Sequence, residues 1–124
     1  MTPKIHTVLV ANRGLIAKRI FQTCKLMGLS TLGIYTDSDL ENAHQFYADK
    51  MFPIADLAKT SGYLNQKAIL ELASHYQAAI HPGYGFLSER ADFRLNCEQN
   101  QVIFIGPNYQ TLKLTGNKSL CHQL

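Results

Sequence analysis

The sequence predicts an open, mostly parallel α/β sheet with helices on both faces. Short apolar segments rich in β-branched residues alternate with segments of helical periodicity, and glycine- or proline-punctuated turns join them. The first strand, helix and strand fit within roughly thirty residues, the size of a βαβ unit, whose right-handed crossover builds a parallel sheet.

Ile5 to Val10 is the first predicted strand, and it runs into the turn Ala11-Asn12-Arg13-Gly14. A helix is expected next, because Ile16, Ala17, Ile20, Phe21, Cys24 and Met27 recur at three- and four-residue intervals. Gly28 stands where a left-handed residue commonly ends a helix. Thr31 to Tyr35 supplies a second strand. Thr36-Asp37-Ser38-Asp39 is a run of turn and cap formers, and Leu40 to Tyr47 has room for one or two helical turns. Lys50 to Ile54 is the third strand candidate; Pro53, which donates no ladder hydrogen bond, confines it to an edge or a strand end.

After a loop from Ala55 to Gly62, the residues Leu64, Ala68, Ile69, Leu72, Ala73 and Tyr76 share one helical face, with Ser61 or Asn65 available as its cap. Gln77 to Ile80 reads as a very short strand, and His81-Pro82-Gly83-Tyr84-Gly85-Phe86 as a glycine-punctuated loop. Ser88 is a candidate cap for a third helix that carries Ala91, Phe93 and Leu95 inward. Val102 to Ile105 is the last strand, halted by Gly106-Pro107. Tyr109 to Leu124 has helical periodicity, with a second start signal at Thr115-Gly116-Asn117. The sum is a Rossmann-like unit of four or five strands.

A chain of 124 residues with 46% apolar content suffices for one domain with a real core. The net charge is only +3 and the basic residues are scattered, so the sequence lacks the electrostatic footprint of a nucleic-acid binder. No run approaches the roughly 20 apolar residues of a membrane span. Met1-Thr2-Pro3-Lys4 leads into a strand instead of a signal-peptide apolar region, and the expected location is the cytoplasm. Cys24, Cys97 and Cys121 are odd in number, far apart and outside any CxxC pair, which argues against a disulfide framework or a zinc site. They are expected to be reduced thiols, with Cys24 on the apolar face of its helix.

In an open parallel sheet, ligands sit beyond the carboxyl ends of the strands, which singles out Asn12-Arg13-Gly14 and His81 to Phe86. The first loop has one glycine and lacks the GxGxxG spacing that wraps a pyrophosphate; a ribose partner would have to be Asp37 or Asp39. Arg13 either ties loops together or clamps an anion. His81 is a hydrogen-bonded support or a catalyst; the proline after it favours extended backbone, and the two glycines allow close approach of a ligand. Glu89, read as lying in the first turn of its helix, is explained by the helix dipole alone or by a ligand. Lys118 is a solvated lysine or a phosphate contact. The sequence has no P-loop, no GxSxG elbow and no metal-spaced His/Cys set.

Read in order, Val8 to Ala17, Tyr63-Leu64-Asn65, Ala79 to Glu89, Phe104 to Pro107 and Gly116-Asn117-Lys118 resemble the opening of biotin carboxylases, including the corresponding parts of acetyl-, propionyl-, methylcrotonyl- and pyruvate-directed enzymes. The resemblance covers nearly the whole chain and is most specific over His81 to Glu89. It implies a Rossmann-like domain at 1–114, with 115–124 beginning the segment that leads into an ATP-grasp domain. The implied reaction joins bicarbonate to the ureido nitrogen of biotin, with ATP cleaved to ADP and phosphate through carboxyphosphate and with Mg²⁺ on the phosphates. A biotin carrier and a carboxyltransferase are the implied partners. Lys118 is similar to the lysine that contacts ATP phosphates, and Arg13, Gly83, Tyr84, Gly85 and Glu89 are further candidates to face the ligand. No catalytic residue and no metal ligand is expected within this chain, which is read as a piece of a longer protein that is inactive alone.

The sequence also departs from the family pattern. Leu15 and Asn117 stand where glutamate and aspartate are usual, and a second acidic residue usually lies near Lys50. Gln22 and Leu26 stand where bacterial subunits carry an arginine and a glutamate at a dimer contact, which weakens the expectation of that homodimer. Competing readings are another ATP-grasp ligase, a standalone nucleotide-binding or interaction module, and a dinucleotide-binding oxidoreductase, the last opposed by the glycine spacing.

Overall fold

The computed structural model of the chain describes residues 5–36, 47–55 and 61–106. The elements are β1 (Thr7–Val10), α1 (Gly14–Leu26), β2 (Ser30–Tyr35), β3 (Lys50–Pro53), α2 (Gln66–Tyr76), β4 (Ala79–His81) and α3 (Ala91–Gln99). Short 3₁₀ turns at Gly62–Leu64 and Phe86–Glu89 precede α2 and α3. The four strands lie in the order β3-β2-β1-β4, and every pairing is parallel.

Residues of β1 alternate between two cores, as the two-residue period of a strand requires. Leu9 and Ala11 join Leu32, Ile34, Ile69, Ala73, Phe93 and Cys97 on the face covered by α2 and α3. Val8 and Val10 join Ala17, Phe21 and Cys24 on the α1 face. Helices thus cover both faces, as expected. Each fully buried side chain such as Leu9 or Phe21 contributes about 1.5–3 kcal/mol.

β3 lies at the sheet edge with Pro53 as its last residue, so both placements open to Pro53 are met, and Asp49 pins its start. The Asp49 carboxylate accepts from Thr31 N at 2.8 Å, and Thr31 Oγ1 accepts from Asp49 N at 2.9 Å. Gly28, at φ +76, ends the α1 segment in the left-handed conformation foreseen for it. Both predicted caps at the start of α2 are used, each by a different element. Ser61 Oγ accepts from Tyr63 N in the 3₁₀ turn at 3.2 Å, and Asn65 Oδ1 accepts from Ala68 N in α2 at 3.3 Å.

Three expectations are corrected. Ile16 and Met27 belong to the periodic pattern of α1, yet they are 37% and 69% exposed. The 13 residues of α1 run about 20 Å, whereas the four of β1 run about 13 Å, so the ends of the helix overhang the strand it packs on. Ser88 lies inside the second 3₁₀ turn and does not cap α3, which starts after Arg90 with no side-chain cap; its inward face is Phe93 and Cys97, while Ala91 and Leu95 are only half-buried. Lastly, Val102 to Ile105 shrinks to one parallel bridge, Ile80 to Phe104, closed by Ile80 N to Ile103 O and Ile105 N to Ile80 O, both 2.8 Å. Its neighbour β4 has only three residues, so little ladder is on offer.

Candidate functional site

The strand order changes direction at β1: the chain passes from β1 to β2 on one side, and β4 lies on the other. Loops leaving the carboxyl ends of β1 and β4 therefore diverge, and the crevice between them is where an open α/β sheet receives ligands. The β1 loop carries Ala11 to Gly14, and the β4 loop carries Pro82 to Phe86. Ala11 N donates to His81 O at 2.9 Å and brings the two loop bases together.

Asn12 lies between the two loops and is 1% exposed. Its Nδ2 donates to Pro82 O at 2.9 Å and to Tyr84 O at 2.6 Å, while its Oδ1 accepts from Arg13 N at 2.8 Å. The two carbonyls fix the orientation of the carboxamide, since only Nδ2 can donate to them. Gly83 sits against it at φ +66; a Cβ there would lie 2.7 Å from Asn12 Nδ2 and 2.9 Å from Ile16 Cγ2. Gly85, at φ +75, faces open space instead.

The far end of the loop is held by packing. Phe86 adopts φ +47, a left-handed conformation that disfavours a bulky side chain. Its ring lies 5.1 Å from that of Tyr63, which is 1% exposed, and Leu87 beside it is fully buried. His81 secures the near end, its Nδ1 accepting from Gly83 N at 3.1 Å, which leaves the ring proton on Nε2. The ring borders an apolar groove lined by Ile5, Val8, Ile20, Cys24 and Ile105, and burial holds its pKa below the usual histidine value. His81 therefore acts here as a neutral support, one of the two roles that its sequence context allowed.

Several residues singled out in the sequence lie on these two loops or just beyond them. Arg13 is exposed at the N-cap of α1, Tyr84 is 74% exposed at the loop tip, and Gly83 and Gly85 flank it. Glu89 is exposed at the last position of the 3₁₀ turn and not in the first turn of α3, where Asp92 stands instead, because α3 begins later than its sequence suggested. Lys118 and Asn117 lie outside the described residues, as do Asp37, Asp39 and Cys121. Leu15 is 61% exposed beside Arg13, and Gln22 and Leu26 lie on the exposed side of α1. Sequence reasoning passed over the clamping role of Asn12; its signal was a short amide side chain between a buried strand and a glycine, a place where such groups bond to backbone.

Strand order, parallel register and helices on both faces define a doubly wound α/β domain whose candidate ligand-facing loops leave the carboxyl ends of β1 and β4. The family model for the biotin carboxylase N-terminal domain matches residues 4–112, and the chain belongs to that family. It is 42% identical to the biotin carboxylase of Allochromatium vinosum over 95% of this chain and 26% of that protein. It is likewise 42% identical to human mitochondrial pyruvate carboxylase over 92% of this chain and 10% of that one. Among solved structures, the biotin carboxylase domain dimer of the Hydrogenobacter thermophilus 2-oxoglutarate carboxylase, in complex with MgADP, ADP and bicarbonate, superposes with a TM-score of 0.89 at 38% identity, over 98% of this chain and 27% of that one. The chain thus spans about a quarter or less of these relatives. No helix among the described residues is long and apolar enough to cross a membrane.

Proposed function

We propose that this chain is the N-terminal part of an ATP-dependent biotin carboxylase, a carbon–nitrogen ligase that joins bicarbonate to the ureido nitrogen of biotin. Residues 1–114 form the Rossmann-like domain, and 115–124 begin the passage to an ATP-grasp domain. The observation that carries the reading is the β4 loop. The family's most specific stretch, His81 to Glu89, lies at the switch-point crevice and is braced there from both ends by Asn12, His81 and Tyr63.

In this reading Lys118 contacts ATP phosphate, and Arg13, Gly83, Tyr84, Gly85 and Glu89 face the cleft that receives ATP, bicarbonate and biotin. Among the described residues no three His, Cys, Asp or Glu side chains come together. In this reading Mg²⁺ is held by the ATP-grasp domain. Catalytic groups would come from there too, which makes the 124-residue chain inactive alone. A biotin carrier and a carboxyltransferase complete the assembly. A homodimer would have to accommodate Gln22 and Leu26, the latter 90% exposed. Buried, unpaired Cys24 and Cys97 suit a reducing compartment, the cytoplasm.

A chimaera tests this directly: residues 1–114 replace the matching N-terminal domain of the Allochromatium vinosum biotin carboxylase. The expected result is biotin-dependent ATP cleavage by the chimaera and none by the isolated chain. A chimaera that unfolds cooperatively and binds ATP yet carboxylates no biotin overturns the proposal, and turnover by the isolated chain overturns its inactivity.

A further inference from the structure

One buried side chain links the two loops of the crevice, and nothing in the assigned reaction calls for it. The Asn12 carboxamide places a donor against each of two carbonyls, Pro82 O at 2.9 Å and Tyr84 O at 2.6 Å, across sequence separations of 70 and 72 residues. Its remaining oxygen accepts from Arg13 N at 2.8 Å, so both ends of the amide are committed. A purely local turn residue would need only that last bond.

The two long-range bonds do more than join segments. A peptide unit is planar, with its C=O and N–H on opposite sides. Drawing the Pro82 carbonyl toward Asn12 turns the Gly83 N–H away, and that N–H lands on His81 Nδ1 at 3.1 Å. Drawing the Tyr84 carbonyl inward turns the Gly85 N–H outward in the same way. Gly83 fits because it has no Cβ; one would lie 2.7 Å from Asn12 Nδ2. The exposed tip, with Tyr84 74% exposed, is thus oriented from below by one amide group.

We propose that Asn12 is a positioning residue: through its carboxamide it sets the peptide orientations of the 82–85 loop, and so the face that the loop presents to ligand. The consequence for turnover rests on the carboxylase reading; the consequence for loop geometry does not.

Two substitutions separate the clamp from simple packing. Asn12→Asp keeps the volume but sets a carboxylate against two carbonyls, and Asn12→Ala removes the group. In the 124-residue chain, both variants should shift the ¹H–¹⁵N amide signals of Gly83 and Gly85. Both should also speed hydrogen exchange of the Gly83 amide roughly 10- to 100-fold, as the loss of two hydrogen bonds implies, while α2 amides keep their signals. In the chimaera described above, kcat should fall by roughly 100-fold, with KM for ATP changed less than about threefold, the pattern of misplaced rather than weakened binding groups.

Unmoved Gly83 and Gly85 amides in folded variants overturn the clamp, and moved amides with unchanged kcat overturn its role in turnover. An unsubstituted chimaera without activity overturns the carboxylase reading instead, and the amide signals still decide the clamp. Should either variant fail to fold, the unsubstituted chain is read: the Asn12 Nδ2 protons should exchange slowly, and exchange as fast as that of exposed Gln99 overturns the clamp.

Discussion

Replacing Gly83 with alanine tests the crevice through a contact and a backbone conformation that can be separated. The residue sits at φ +66, where an L side chain costs about 1–2 kcal/mol. Its new Cβ would also lie 2.7 Å from Asn12 Nδ2 and 2.9 Å from Ile16 Cγ2. Neither neighbour yields easily, since Nδ2 is bonded to two carbonyls and Ile16 belongs to α1. Overpacking of this kind costs about 1–3 kcal/mol. The total for Gly83→Ala is about 2–5 kcal/mol, or a fall in Tm of roughly 8–20 °C at about 4 °C per kcal/mol for a chain of this size. Gly14 supplies the control, because its φ of +61 is close to that of Gly83 and nothing lies within 4 Å of a built Cβ. Gly14→Ala should lose only the conformational share, roughly 4–8 °C. Thermal melts of the two variants beside the parent chain decide the matter. Equal losses would show that no wall stands over Gly83 and would refute the crevice packing described above.

Two further outcomes follow from the burial of titrating groups. His81 is held neutral in the fold, its pKa pushed below the ordinary 6.5 by burial, so below about that pH the unfolded chain binds the extra proton and stability falls. Melts between about pH 7.5 and pH 5 should show this loss, and His81→Asn, whose Oδ1 can accept from Gly83 N, should flatten that share of it; an unchanged slope would assign the loss elsewhere. Cys97 is fully buried and its thiol is pushed up to about 12, chiefly by desolvation, so almost no thiolate forms at neutral pH. Iodoacetamide followed by peptide mass mapping should label Cys97 only in denaturant, and labelling of the native chain would contradict its burial.

Much of the fold is local in origin and was legible for that reason. The apolar spacing of α1 and α2, the Gly28 terminus, the Asn65 cap and the edge or strand-end placement of Pro53 each depend on neighbours a turn or a strand away. The resemblance of the His81 to Glu89 stretch was equally local, being carried by consecutive residues. What the chain did not disclose depends on partners far off in sequence. Ser88 looks like a cap, but the packing of Phe86 on Tyr63 draws it into a 3₁₀ turn and delays α3 to Ala91. Val102 to Ile105 has the composition of a strand, but the three residues of β4 limit the ladder it can join.

The crevice divides along the same line. Its ingredients, a glycine loop after one strand and an Asn-Arg-Gly turn after another, could be read one residue after the next. That Asn12 is the link between them could not, because a carboxamide has the same composition whether it faces water or two carbonyls some seventy residues away. The amino-acid order determined most of the described helices and strands and the parallel class of the sheet, since these follow from short-range periodicity and from the alternation of strand and helix. Only the tertiary structure decided which polar group was buried at the switch point, since that depends on which strands become neighbours, and a buried amide must then find its partners there.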